Sequence, residues 1–204
     1  MTKRAIEHLK SDRVMAEVIE RIGPLKMRPR RIPPFQSLAS AIIHQQLSGK
    51  AASTILGRFQ ALFDSGGFPS PLAVAGTDVE NLRSAGLSRA KATYIRGLAQ
   101  KTIEGIVPSL ESCESLADEE LVQRLTSIKG IGVWTVQMFL IFNLGRPDVF
   151  PIDDLGVRRG YQIAFRKRLL PDPAHLHRMG SRWAPFRTTA ALYLWRTTDF
   201  KKET

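Results

Sequence analysis

Apolar residues in this chain recur at helical spacing from end to end, and no alternating run of four or more residues outcompetes a helix. Such a pattern offers no material for a sheet, so the fold class is all-α. Ile6, Leu9, Val14, Val18 and Ile22 fit one amphipathic first helix, stopped by Gly23-Pro24. The basic, proline-rich stretch from Met27 to Pro34 reads as a loop. Helices follow from about Phe35 to Leu47 and from Lys50 to Phe63, with a Gly66-Gly67 and Pro69 loop after them. Asp78 can cap a short helix to about Ala85, and Ser88 a longer one to Ile106. Ser115 or Asp118 opens a helix to about Thr126. The next runs from Val133 to Asn143 and ends at Gly145-Arg146-Pro147. Asp153 or Asp154 opens another, through about Phe165. A short helix near Ala174 to Trp183 and a last one from Pro185 to Arg196 complete the chain. The tail, 201–204, is expected to fray.

At 204 residues this series suits a single domain over 1–204, or two closely packed subdomains: a compact two-lobed helical bundle. Apolar residues make up 43% of the chain, enough to bury a core. Thirty basic residues against 19 acidic ones leave a net charge of +11, which favours a polyanionic partner, nucleic acid first. Cys113 is the only cysteine, so an internal disulfide and a cysteine-held iron–sulfur cluster are both excluded. The longest apolar stretch, Val133 to Leu144, holds Gln137 and Asn143 and is too short to span a bilayer, so no membrane partner is expected. A charged N-terminus without an apolar segment behind it points to a cytoplasmic, nucleoid-associated or nuclear protein. The four histidines show no ligand spacing with carboxylates.

The most specific local motif spans Leu125 to Thr135, between two expected helices. Gly130 and Gly132, spaced by Ile131, permit a tight turn whose backbone N–H groups point outward at a helix start. Such amides can hold a phosphate oxygen. Ile128 and Ile131 would anchor the turn, and Lys129 would face phosphate or solvent. The pattern reads as a helix-hairpin-helix, a grip on duplex DNA that ignores sequence.

From this hairpin to Gly160 the chain resembles the helix-hairpin-helix glycosylases, and within them the 3-methyladenine DNA glycosylase II family. The hairpin is followed by a loop holding Gly145, Pro147 and Pro151 (about 145–155) and then by Asp153-Asp154. Three further segments extend the likeness to about Arg31 through Trp195: Ile42 to Ala52, Gly86 to Ile95, and Trp183-Ala-Pro-Phe-Arg187 with Tyr193-Leu-Trp195.

The resemblance implies excision of damaged, in particular alkylated, bases from duplex DNA. Asp154 matches the catalytic carboxylate, which would stabilise positive charge on the sugar. From the residues alone, Asp153-Asp154 reads equally as a helix cap. Both roles can hold at once, with Asp153 as the cap and Asp154 facing the cleft. Bifunctional relatives carry a lysine nucleophile where Trp134 stands, so hydrolysis without strand cleavage is implied. Trp134, Tyr193 and Trp195 are candidate walls of a base pocket, with Trp183 assigned to the core. Met138 is a further pocket candidate, standing where some relatives place an aromatic pocket residue. Gln45, Gln46 and Leu47 end a DNA-facing helix, with Gln46 best placed as the wedge beside a flipped base. His44 is a further candidate there. Arg158 and Arg159, with Arg28, Arg30, Arg31 and Lys50, are candidate phosphate contacts. No cofactor is expected, although the family hairpin often holds a monovalent cation through main-chain carbonyls, here those of Thr126, Ile128 and Ile131. The protein is expected to be a monomer. A non-catalytic hairpin module and a glycosylase for ethenoadenine, hypoxanthine or oxidised bases remain open alternatives.

Overall fold

The computed structural model describes residues 2–63 and 66–199; the tail expected to fray lies outside them. Within these residues the chain forms α-helices, a π-helical turn and a short 3-10 turn, with no strand. The all-α reading holds. In chain order the helices are α1 (Lys3–Leu9), α2 (Arg13–Ile22), α3 (Pro34–His44), α4 (Gly49–Ala61), α5 (Pro71–Gly76), α6 (Val79–Ser84), α7 (Arg89–Ile103), α8 (Leu110–Ser115) and α9 (Asp118–Thr126). They continue with α10 (Val133–Phe139), α11 (Leu155–Ala164), α12 (Pro173–Gly180) and α13 (Arg187–Thr197).

Short polar side chains decide where most of these helices start. Thr2, Asp12, Ser48, Ser70, Asp78, Ser88, Ser109, Asp154 and Asp172 each accept a backbone N–H from the first turn. Asp12 also corrects the expected first helix. Its carboxylate accepts the N–H groups of Val14 and Met15 at 3.0 and 3.3 Å, restarting the chain as α2. The helix expected over Val133 to Asn143 is α-helical only to Phe139 and then widens into the π turn, Leu140–Leu144. Helix α3 stops at His44, three residues before the expected end. Helices α5 and α8, six residues each, are too short to register as a period in sequence.

The chain divides into two compact units, residues 30–139 and the described part of 1–29 with 140–204. In the larger unit by contiguous sequence, α3 packs on α4, α7 and α10, and α10 packs on α9. Leu38, Ile42, Ile43, Phe59, Ile95, Leu98, Leu121 and Leu125 are fully buried there. Arg124 ties the end of α7 to α9, its Nε and Nη2 donating to the carbonyls of Ile106 and Gly105 at 2.7 and 2.6 Å.

In the other unit α13 runs against α11 and α2. Its core gathers Leu9, Met15, Val157, Tyr161, Leu176, Trp183, Ala190 and Leu194. Trp183 is buried as expected, edge-on to Phe150 at 5.4 Å. Helices α11 and α13 approach so closely at Gly160 that a Cβ there would stand 1.8 Å from the Leu194 carbonyl oxygen. Thr197 Oγ1 donates to the Gly160 carbonyl at 3.0 Å across the same contact. No described helix is long and apolar enough to cross a membrane.

The backbone contact at Gly160 leaves no side-chain rearrangement that could admit a methyl group. Gly160→Ala is expected to cost about 3 kcal/mol, at the upper end of overpacking penalties. Urea unfolding followed by circular dichroism checks this; a midpoint unchanged from wild type would contradict the close approach.

Candidate functional site

The hairpin joins α9 to α10 in the unit 30–139. Gly130 sits at φ 93°, and a Cβ on it would come within 2.5 Å of the Tyr94 ring. Only glycine meets both demands. The Gly132 carbonyl accepts the Val136 N–H at 3.2 Å and so opens α10. Ile128 and Ile131 are buried, anchoring the turn as expected, while Lys129 and Gly132 are exposed.

Gln45 departs from expectation. Its side-chain amide donates to the Gly130 carbonyl at 3.2 Å and to Thr135 Oγ1 at 3.3 Å. The residue is partly buried and its side chain braces the hairpin. The chain then turns back over residues 44–47. The Leu47 N–H donates to the His44 carbonyl, Gln45 has φ −52° and ψ 129°, and Gln46 has φ 58°. These are the signs of a type II turn, whose third position favours glycine or asparagine. A glutamine held left-handed there costs roughly 1–2 kcal/mol. Gln46 is exposed, and Leu47 keeps 40% of its surface open. His44 Nδ1 lies 2.8 Å from the Ser40 carbonyl.

Sequence reasoning left Lys91 without a role, yet its ammonium donates to the carbonyls of Ile43 and Gln45, at 2.8 and 2.6 Å. Burial pushes its pKa below the ordinary lysine value. Trp134, at the start of α10, is 42% exposed; Met138, one turn on, is half-buried.

The carboxylate belongs to the other unit. Asp154 is the N-cap of α11, and its Oδ1 accepts the Val157 N–H at 2.8 Å. The same oxygen accepts the Trp195 indole N–H at 2.7 Å. Of the two aspartates that could open this helix, Asp154 is therefore the cap, and Asp153 is exposed. Trp195 stacks on Phe142 with centroids 5.6 Å apart. Gly156 makes room for the pair, since a Cβ on it would lie 2.7 Å from Trp195 Cδ1 and 3.0 Å from Asp154 Oδ1. A groove of about 710 Å3 opens beside Trp195 and Phe142, rimmed by Lys26, Arg196 and Asp199.

The loop leading to Asp154 is laced to the start of α13. Thr188 Oγ1 donates to the Arg146 carbonyl at 2.7 Å and accepts the Val149 N–H at 2.9 Å. Asp148 accepts Arg187 through its backbone N–H, Nε and Nη2, at 3.1, 2.7 and 2.9 Å. Neither Asp148 nor Thr188 carries a sequence signal, because the pairing is tertiary.

One other expectation needs correction. Tyr193 is fully buried in the core and donates its hydroxyl to the Gly23 carbonyl at 3.1 Å, so it presents no face to a base. Burial pushes its phenol upward. Arg158 directs its Nε to the Pro171 carbonyl at 2.9 Å, and Arg159 is exposed. Arg31 sits in a close ion pair with Glu114.

A glycine hairpin between two helices, and in the other unit an aspartate fixed at a helix start by an indole, define the class of helix-hairpin-helix base-excision proteins. Residues 39–185 match the model of the HhH-GPD superfamily base excision DNA repair proteins. DNA-3-methyladenine glycosylase 1 of Schizosaccharomyces pombe is 40% identical over 97% of this chain and 88% of its own length. A solved structure of the 3-methyladenine DNA glycosylase of that yeast, in complex with abasic DNA, superposes with a TM-score of 0.87 and covers 97% of both chains. The DNA-3-methyladenine glycosidase of Bacillus halodurans gives the same TM-score at 36% identity, over 99% of this chain and 92% of its own. The chain belongs to the HhH-GPD superfamily, within its DNA-3-methyladenine glycosylase family.

The double role of Asp154 can be separated. Asparagine caps helices about as well as aspartate, so Asp154→Asn should lose less than about 1 kcal/mol, mainly the charge at the helix start. Asp154→Ala should lose roughly 1 kcal/mol more, as both N–H donors lose their acceptor. Chemical denaturation of the two variants is the check; equal stability would mean that the carboxylate is not the cap.

Proposed function

We infer that this protein removes alkylated purines, of the 3-methyladenine and 7-methylguanine type, from duplex DNA as the first step of base excision repair. The observation that carries this is the Asp154 carboxylate, held on one oxygen by Val157 N–H and Trp195 Nε1 at the start of α11. It supports the reading because the chain belongs to a family whose relatives bear that activity in their names.

The hairpin amides around Gly130 and Gly132 take a backbone phosphate, and Lys129 adds a positive charge beside them. Gln46 and Leu47 enter the minor groove where the damaged nucleotide leaves the stack. The half-exposed indole of Trp134 offers a face to a nucleobase, and the same holds for Trp195. A methylated purine is cationic, and an aromatic face favours such a ring by roughly 0.5–2 kcal/mol.

Cleavage breaks the bond between C1′ and the base nitrogen, and the bond pair leaves with the base. Positive charge then develops on the sugar, where a fixed carboxylate stabilises it without having to reorganise. Water adds its hydroxide to C1′ and releases a proton. Because methylation already weakens the bond, this carboxylate suffices as catalyst. Trp134 is no nucleophile, so the product is an abasic site in an unbroken strand.

Main-chain carbonyls of Thr126, Ile128 and Ile131 would supply the oxygen donors for a hard monovalent cation, as the family resemblance implies. The Ile128 carbonyl already accepts the Ile131 N–H at 3.1 Å and retains a second lone pair for it. The cation would stiffen the turn that faces phosphate. We further propose that the protein acts as a monomer, in the cytoplasm or nucleus.

Methylated duplex DNA incubated with the protein should release methylpurines, detected by chromatography, with strand breaks only after alkali. Asp154→Asn should be slower by about a hundredfold to a thousandfold. Duplex binding without any released base would overturn the reading.

A further inference from the structure

The direction in which Gln46 and Leu47 leave the protein is a property of one peptide group, that between Gln45 and Gln46. Types I and II turns differ mainly by a rotation of this central peptide through about half a revolution. In type II the Gln45 carbonyl points to the opposite side, and residue 46 is driven to positive φ. Gln46 stands at φ 58° without being a glycine. Left alone, such a residue relaxes toward the right-handed region, and the turn with it. The left-handed form therefore needs a hold on that carbonyl.

Lys91 provides one. From the first turn of α7 its Nζ donates to the Gln45 carbonyl at 2.6 Å and to the Ile43 carbonyl, near the end of α3, at 2.8 Å. A cation is the fitting donor there, because the last carbonyls of a helix carry partial negative charge. The ammonium is partly withdrawn from water, which makes both bonds stiffer than surface contacts. On the other side of the same residue, the Gln45 side chain is fastened to the Gly130 carbonyl and to Thr135 Oγ1. The turn is thus clamped twice, by Lys91 on its backbone and by the hairpin on its side chain.

The geometry points to Lys91 as a positioning residue for base extrusion: by holding the Gln45 carbonyl it locks the turn in the form that projects Gln46 and Leu47 toward the minor groove. The inference rests on the proposed excision of alkylated purines. Lys91 touches neither DNA nor the reacting atoms in this scheme. It acts through the turn, and its loss affects the opening of the base stack and not the cutting of the bond.

The test compares two duplexes in single-turnover excision by the full-length protein. One carries 7-methylguanine paired with cytosine. The other carries it opposite a stable abasic analogue, where unpairing is already done and extrusion costs least. Lys91→Met, which keeps the length but not the donors, should be slower by about a hundredfold on the paired substrate. On the abasic-opposed substrate it should remain within about threefold of wild type. Lys91→Gln, whose amide is too short to hold both carbonyls, should show the same split to a smaller degree, which keeps the test decisive if Lys91→Met does not fold. Circular dichroism establishes the fold of each variant. Equal rates for variant and wild type on the paired substrate would overturn the role, as would an equal loss on both substrates. If wild-type protein releases no 7-methylguanine, the excision reading falls and the inference with it. If wild type is active and the split is missing, only the role of Lys91 falls.

Discussion

The unit that carries Asp154 depends on how near α11 and α13 can come to each other. Two glycines one helical turn apart, Gly156 and Gly160, set that distance. At Gly160 the helix backbone lies against the Leu194 carbonyl, and Thr197 ties the two helices with a hydrogen bond. One turn earlier the same proximity brings Trp195 over Gly156, and the indole N–H then reaches the Asp154 carboxylate at 2.7 Å. The Asp154–Trp195 geometry is thus a by-product of helix packing: a methyl group at Gly160 would push the two helices apart, and one at Gly156 would displace the indole.

A comparable economy operates in the unit 30–139. Gly130 admits the Tyr94 ring against the hairpin backbone, and its carbonyl is held by the Gln45 amide. Lys91 and Gln45 thereby join α3, α7 and the hairpin through main-chain acceptors. Polar side chains that would otherwise face water are committed to backbone groups of the 44–47 turn and the hairpin, the segments proposed to meet DNA. Rigidity of this kind lowers the ordering cost of binding, because the contacting segments already hold their shape.

Much of this was legible in the sequence. The capping residues, the hairpin glycines and the helical period together predict an all-α chain with nearly every helix in place. What escaped was whatever depends on a partner distant in sequence. Asp12 restarts a helix within an unbroken apolar period, and no local rule distinguishes that from continuation. Gln45 and Arg158 look like solvated polar residues until the carbonyls of Gly130 and Pro171 arrive from 85 and 13 residues away. Tyr193 and Trp195 lie two residues apart on one helix, and only the packing reveals that the first faces the core and the second the carboxylate. Which of Asp153 and Asp154 caps the helix is open in the sequence, and the structure settles it on Asp154, one oxygen of which accepts both donors.

That shared oxygen also constrains how the protein can change over evolutionary time. A position that only supplied charge would drift freely once its chemistry was no longer selected. Asp154 also begins a helix and seats an indole, so relaxation of selection on activity leaves selection on folding in force. Descendants that abandon base excision are then expected to carry asparagine or serine there rather than an arbitrary residue. The replacement would record the lost activity while the fold persisted.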